Sequence, residues 1–417
     1  MTFQPPSKSL TARDYLFIAF ILFVVFAVSA GLIAANLTLP RGGGEYLRHW
    51  AGIRGFIFER IDPYSAYVPD TVQALVYDGR ARAGDDPYIL DTPFHLLLLY
   101  APFSLLADPE TGRAIFTLIL EWALFALAWL SLRLTDWTPP RWFALPFFLA
   151  ATLNFYTFQS LLAASPVLLL GLCFAGILFA LRYGSDELAG ALIAVSLYIG
   201  SAGLPFLALV AWRCYKEGRS RVFAGFGMLS IVLLAVSFLL YPNWLIPFLR
   251  AGMNDLRVGY GFSVVTVLQR LLPAYGQYIA WGIITLLVFA LGYEWNALQP
   301  GDNRRLYWVA CLSLAAAPLL GFRSETENLS ILIIPLAFVF AVVHERWKRI
   351  GAWLTLLLLL SFFALPWILY IVALPRYGET ANGLIFLFPP FFTVIGLYWI
   401  RWWAIRPPRV WADSITR

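Results

Sequence analysis

Residues 15–37 read YLFIAFILFVVFAVSAGLIAANL, twenty-three positions without a charged side chain. A helix rises 1.5 Å per residue, so this run is long enough to cross a hydrocarbon core roughly 30 Å thick. Further apolar runs follow near 112–134, 142–160, 166–182, 188–200, 203–215, 221–240, 277–296, 306–320, 329–345, 351–372 and 382–402. Of the 417 residues 60% are hydrophobic and 13% charged, and the mean hydropathy is +0.73. A soluble globular chain carries roughly 25% charged residues, so a soluble fold is excluded. The expected class is an all-α polytopic membrane protein with about twelve transmembrane or half-spanning helices. Residues 1–417 form one integral membrane domain.

Ala27-Val28-Ser29-Ala30 has the small residues of a leader-peptide cleavage site, but the apolar run continues past it and a retained helix is expected. The segments 188–200 and 203–215 are short, with Gly200, Gly203 and Pro205 between them, and read as a hairpin that enters the membrane and returns. The 30 Lys and Arg are scattered through short loops, which reports topology and not a nucleic-acid partner. With a cytoplasmic N-terminus, 18 of them fall inside and 12 outside, seven of the latter in the long segment 38–113. Leaving that segment aside, the balance is 18 to 5, which predicts both termini in the cytoplasm of a multi-pass cell-membrane protein. Cys173, Cys214 and Cys311 lack metal-ligand spacing and read as small buried hydrophobes.

Segment 38–111, ahead of the remaining membrane helices at 112–402, is too long for an ordinary connection. It holds ten of the 24 acidic residues and several aromatics, and reads as a folded extracytoplasmic cap bearing amphipathic juxtamembrane helices. Its residues 44–60, GEYLRHWAGIRGFIFER, have helical periodicity. Glu45, Arg48, His49, Gly52, Gly55 and Glu59 share one face, expected to look into an aqueous cavity. Tyr46, Leu47, Trp50, Ile53, Ile57 and Phe58 form the other, expected against lipid or protein. Two turns follow, Asp62-Pro63-Tyr64 and Asp85-Asp86-Pro87-Tyr88. Thr92 is placed to cap a short helix over 93–106 with Pro93 in its first turn.

The order of these features resembles glycosyltransferase family 87, polyprenyl-phosphate-sugar-dependent membrane enzymes of the GT-C superfamily. Carrying the resemblance are Glu45 with Arg48-His49-Trp50-Ala51-Gly52, the Asp62-Pro63-Tyr64 turn, TPFHLLLLYAPF at 92–103 and GRAIF at 112–116. It is best over residues 1–134 and weakens afterwards. The chain departs from the family by having Glu45 where Asp is usual and Leu204 where Lys usually precedes the hairpin proline. Arg323, Glu325 and Glu327 stand in a loop that often carries His.

What the resemblance implies is a GT-C-like, inverting transfer of a mannose-like hexose from a polyprenyl-phosphate donor to a lipid or glycan acceptor at the extracytoplasmic face. It needs a carboxylate base, cations for the departing phosphate and a groove for the isoprenoid. The candidate base is Glu45, with Asp62, Asp91 and Asp86 as alternatives and a helix-start carboxylate as the plain structural reading. His49 is a supporting candidate, and His95 is expected at an interfacial helix surface. Arg48, Arg257, Arg270 and Arg323 are candidates for the phosphate, each of which could equally contact lipid headgroups. No cofactor and no metal ligands are expected; Asp85-Asp86 reads as a solvated turn, and the metal requirement stays open. Glu121, alone within an apolar run, reads as a polar contact inside the bundle, and would matter most to the competing reading, a transporter or flippase. The tail Arg401-Trp402-Trp403…Arg406 reads as a membrane-surface anchor.

Overall fold

The computed structural model describes residues 12–39, 43–82, 85–199 and 201–405. Among them every named element is a helix, and the one isolated β-bridge joins Phe262 to Ser324. Helix α1 (Ala12–Thr38) is the opening apolar run; Phe17, Leu22 and Phe26 are exposed along it, as a lipid-facing span requires. The outer segment follows as α2 (Gly44–Arg54), a π-turn at Gly55–Glu59, α3 (Tyr67–Tyr77), α4 (Phe94–Leu97) and α5 (Ala101–Ser104). Asp108 starts α6 (Pro109–Leu134) by accepting the N–H groups of Glu110 and Thr111, and Pro109 occupies the first turn, where its missing N–H costs nothing. Next come α7 (Arg141–Leu153) and α8 (Phe155–Ala163), a pair bent by 45° at Asn154, whose side chain caps α8 through the Tyr156 N–H.

The middle of the chain is α9 (Val167–Arg182), α10 (Asp186–Ile199), α11 (Leu204–Lys216) and α12 (Ser220–Leu240). After it stand α13 (Leu245–Val258), α14 (Val264–Leu271), α15 (Gly276–Asn296), α16 (Asn303–Ala316), α17 (Ile333–Ile368), α18 (Leu374–Tyr377) and α19 (Glu379–Ala404). The helical run of α17 is not straight. A β-carbon on Gly351 would lie 2.7 Å from the Val343 carbonyl oxygen, eight residues back, whereas a straight helix separates such residues by about 12 Å. The chain doubles back there, and two spans lie on either side, Thr326–Trp347 and Ile350–Tyr377.

Helices occupy all twelve predicted segments, but seven are long and apolar enough to cross a membrane, eight if the bent pair counts as one span. α9 (16 residues), α10 (14), α11 (13) and α16 (14) fall short of that length. At the tip of the α10–α11 hairpin, Gly203 abuts the Phe174 ring, halfway along α9, in keeping with a pair that does not run the full depth. The hairpin arms touch each other only slightly; α10 lies chiefly against α9 and α12, and α11 against α16.

Contacts between the loops divide the molecule into two ends. Arg182 pairs with Asp136, Arg219 with Asp186, the Gly301 N–H donates to Glu217, and Trp137 donates to His344, so these connections share one end. The other end gathers the outer segment, α13, α14 and the 320–328 loop: Phe56 packs on Tyr241, Tyr64 on Phe248, and Phe262 bonds Ser324. This partition is the one that counting Lys and Arg predicts.

Several local expectations change. Both faces of α2 are buried, Tyr46 and Ile53 as well as Glu45 and His49, because α3, α4 and the 88–90 strand of loop cover what was expected to face open water. Pro93 itself holds the cap position of α4, and the Thr92 side chain serves His49 instead. The expected helix 93–106 is broken by a 3-10 turn at Leu98–Tyr100. His95 is buried beside Trp244 and not at an interfacial surface. Arg401 is held inward by Glu294 and lies over Trp308, so it is no simple surface anchor; Arg406 lies outside the described residues. Glu121 accepts from Asn36 of α1 at 3.5 Å, the bundle contact expected of it.

Candidate functional site

The start of α2 is set by glycine. Gly43 has φ +80°, in the left-handed region, and a β-carbon on Gly44 would sit 2.0 Å from the Tyr88 ring. That close approach pulls Glu45, in the first turn of α2, under the 85–91 loop, where it is 7% exposed. One turn later Arg48 reaches back: its Nη2 lies 2.7 and 2.8 Å from the two Glu45 oxygens. Arg48 Nη1 donates to the Ile89 carbonyl at 3.2 Å and lies 3.6 Å from Asp91.

His49 is clamped on three sides. Its Nδ1 is 2.6 Å from the Glu45 carbonyl oxygen, its Nε2 is 2.8 Å from the Thr92 hydroxyl, and its ring stacks on Tyr100 with centroids 4.4 Å apart. A carbonyl only accepts, so Nδ1 carries the proton and Nε2 accepts from Thr92. Burial, with the Arg48 charge nearby, pushes the imidazole down to about 3, so it is neutral at ordinary pH. His49 positions α2 against Thr92.

The far side of the site comes from 280 residues later in the chain. The Phe262–Ser324 bridge (two N–H···O bonds of 2.8 Å) ties the 320–328 loop to the α13–α14 connection, and the Ser160 hydroxyl of α8 donates to the Glu327 carbonyl at 2.8 Å. Glu325 and Glu327 lie at Glu45, and one carboxylate oxygen from each of the three lies within 4.8 Å of the others. Glu327 also hydrogen-bonds the Ser165 side chain. Asp86, Asp91 and Asp255 stand around this triad within range of Arg48. Arg323 packs over Gly259, where a side chain would collide with its guanidinium, and its charge acts on Asp255.

Six carboxylates therefore gather around two guanidinium groups, Glu45 buried among them and Arg323 exposed at the edge. Burial pushes the Glu45 carboxyl up to about 7; Arg48 opposes that shift, and Asp86 and Asp91 add to it. Glu325 is held well above the usual carboxylate range by burial first, then by the charges of Glu327 and Glu45. Asp255 is raised to about 6, again chiefly by burial. A buried carboxyl that titrates near neutrality can exchange a proton with a bound hydroxyl, the requirement for general-base work.

The remaining candidates lie elsewhere. Asp62 accepts the Tyr64 N–H and shapes its own turn. Arg270 pairs with Glu379 at 2.8 Å on the surface, and Arg257 is exposed on α13. Of the four phosphate candidates, Arg48 and Arg323 are at the site. Sequence reasoning noted Glu325 and Glu327 only as departures and missed Asp255 and Tyr100. The available signal was two acids one residue apart, in a short loop between apolar runs.

Two small adjoining apolar cavities lie between the 3-10 turn Thr326–Leu332 and helices α7, α8 and α17. Asn154, Ser330, Ile333, Leu336 and Phe362 line the first, and Phe147 and Phe340 help line the second along α7 and α17. No protein-family model matches this sequence and no curated protein matches it, leaving the constellation around Glu45 and Arg48 as the guide to function.

Proposed function

We propose that the chain is a membrane-embedded, GT-C-type glycosyltransferase that moves a hexose from a polyprenyl-phosphate donor to a lipid or glycan hydroxyl, at the end of the molecule built by the outer segment. The observation that carries this reading is the inward-turned Glu45 carboxyl, near neutrality in its titration, held by Arg48 and set against Glu325 and Glu327. Glu45 takes the proton from the acceptor hydroxyl, and the acceptor oxygen attacks the anomeric carbon. The bond from that carbon to the phosphate oxygen breaks on the opposite face, so the configuration inverts and polyprenyl phosphate leaves. Arg323, at the rim and free of a close carboxylate partner in an ion pair, is the residue placed to meet the departing phosphate, whereas Arg48 is occupied in holding Glu45. This end is read as extracytoplasmic, since the opposite end carries most of the Lys and Arg of the short loops.

The test is incubation of the purified protein, in lipid nanodiscs, with a panel of polyprenyl-phosphate hexoses and a glycan acceptor. Release of polyprenyl phosphate with an inverted product linkage is expected for a mannose-like donor. No release from any donor, together with movement of intact lipid-linked sugar across the bilayer, would point instead to transport.

A further inference from the structure

We infer that Glu45, Glu325 and Glu327 together hold a divalent cation of the hard, oxygen-seeking class, magnesium, manganese or calcium. Three carboxylates from two distant parts of the chain converge with one oxygen each within 4.8 Å. Oxygen ligands about 2.1–2.5 Å from such an ion stand about 3 Å apart when adjacent and about 4.2–5 Å apart when opposite, so the triad's spacing falls within the reach of one ion's ligand sphere after modest side-chain adjustment. No sulfur or free imidazole nitrogen competes there, since both nitrogens of His49 are engaged, and an all-oxygen set disfavours zinc and copper.

Two features beyond the carboxylates point the same way. Tyr100 is 3% exposed and its hydroxyl has no hydrogen-bond partner. Its ring stacks on His49, and Glu45 is the carboxylate whose charge acts on that hydroxyl. A buried phenol without a partner carries a desolvation penalty; a water bound to a cation at Glu45 would relieve it. The second feature is the absence of a cationic partner: among the described residues Arg48 reaches Glu45 and Asp91, and no ion pair engages Glu325 or Glu327.

In the transferase reading, on which this role of the ion rests, a divalent charge would also lie between the anionic donor phosphate and the acidic cluster. The cation would bridge the triad and the donor phosphate and stabilise the leaving group. Arg48, bonded to both Glu45 oxygens, would keep that carboxylate oriented.

The probe is manganese alone, followed by electron paramagnetic resonance on the full chain in nanodiscs at pH 7.5. Wild type is expected to bind one ion saturably, with magnesium or calcium competing. Glu327→Gln and Glu325→Gln should each weaken binding at least about tenfold, and Glu327→Asp should recover part of the loss. Asp136→Asn, at the opposite end of the molecule, should bind as wild type does and reports that substitution as such is harmless. For variants too unstable to titrate, the manganese-induced rise of the wild-type unfolding temperature gives the same information. Absence of saturable binding by wild type up to about 5 mM, or equal binding by both Gln variants, overturns the site. Carrier release that persists in EDTA without manganese binding removes the cation and leaves the transferase; manganese binding with no carrier release does the reverse.

Discussion

The two ends of the molecule treat buried acids in opposite ways. At the end holding the 134–141, 182–186 and 213–221 connections, acids are matched by arginine. Glu294, whose side chain is 3% exposed, receives Arg401 Nε at 2.8 Å and Arg305 Nη2 at 3.1 Å, tying α15, α16 and α19 together. Asp186 receives Arg219, and Glu217 receives Arg213. At the end holding α2 and the 320–328 loop, six carboxylates share Arg48 and Arg323. A matched pair satisfies its own hydrogen bonds and fixes a packing arrangement. An unmatched cluster is left with capacity for protons, a cation or a substrate, and natural proteins accept such local conflict chiefly where function needs it. One end is built to hold; the other is built to bind.

The largest effect on stability is expected at the matched end. Glu294→Ala leaves two partly buried guanidinium groups without their carboxylate and should cost about 2–4 kcal/mol, read as a lowered midpoint of thermal unfolding. Turnover per folded molecule should be unchanged, and a large loss of turnover would erase the contrast between the ends.

The next effect is a pH dependence at the unmatched end. With the Glu45 carboxyl at about 7, the residual transfer left in EDTA should rise about tenfold per pH unit below 7 and level off above it. Stability should move the other way. The folded carboxyl is raised above its unfolded value, so the folded state binds more protons between about 4.5 and 7, and stability is lost as pH rises through that window. A flat activity profile from pH 5.5 to 8 would contradict the assignment of Glu45.

The smallest expected effect is the most diagnostic. Glu325→Gln removes one of several like charges and, in EDTA, should leave stability unchanged or raise it by up to about 1 kcal/mol. Set beside Glu294→Ala, it asks whether unmatched acids serve folding at all. A destabilisation as large as that of Glu294→Ala would make the two ends equivalent.

Much of the architecture was legible in the sequence, because a span needs little more than length and apolarity and because the short-loop Lys and Arg follow one side. The helix over 44–54 was legible too, as was Glu45 at its start. What periodicity could not supply was which surfaces cover which. The polar face of α2 looked solvent-bound by pattern, yet Tyr88, Leu90 and Thr92 close over it. Thr92 had the identity and position of a helix cap, but its hydroxyl is committed to His49, a partner 43 residues away. Glu325 and Glu327 reach Glu45 from a loop tied by two backbone bonds at Phe262 and one serine hydroxyl, and no local pattern encodes that. The reversal at Gly351 is different. There the charged stretch 345–349 between two apolar runs did mark the break, although helical backbone persists through it.

The central claim is that the Glu45 carboxyl accepts the proton in sugar transfer, and Glu45→Gln tests it most directly. The amide keeps the shape of the side chain and can still accept from Arg48, but it cannot take up a proton at neutral pH. Carrier release by the purified variant should fall at least about a hundredfold, with the unfolding midpoint within a few degrees of wild type. Release at the wild-type rate from a folded Glu45→Gln protein would contradict the account.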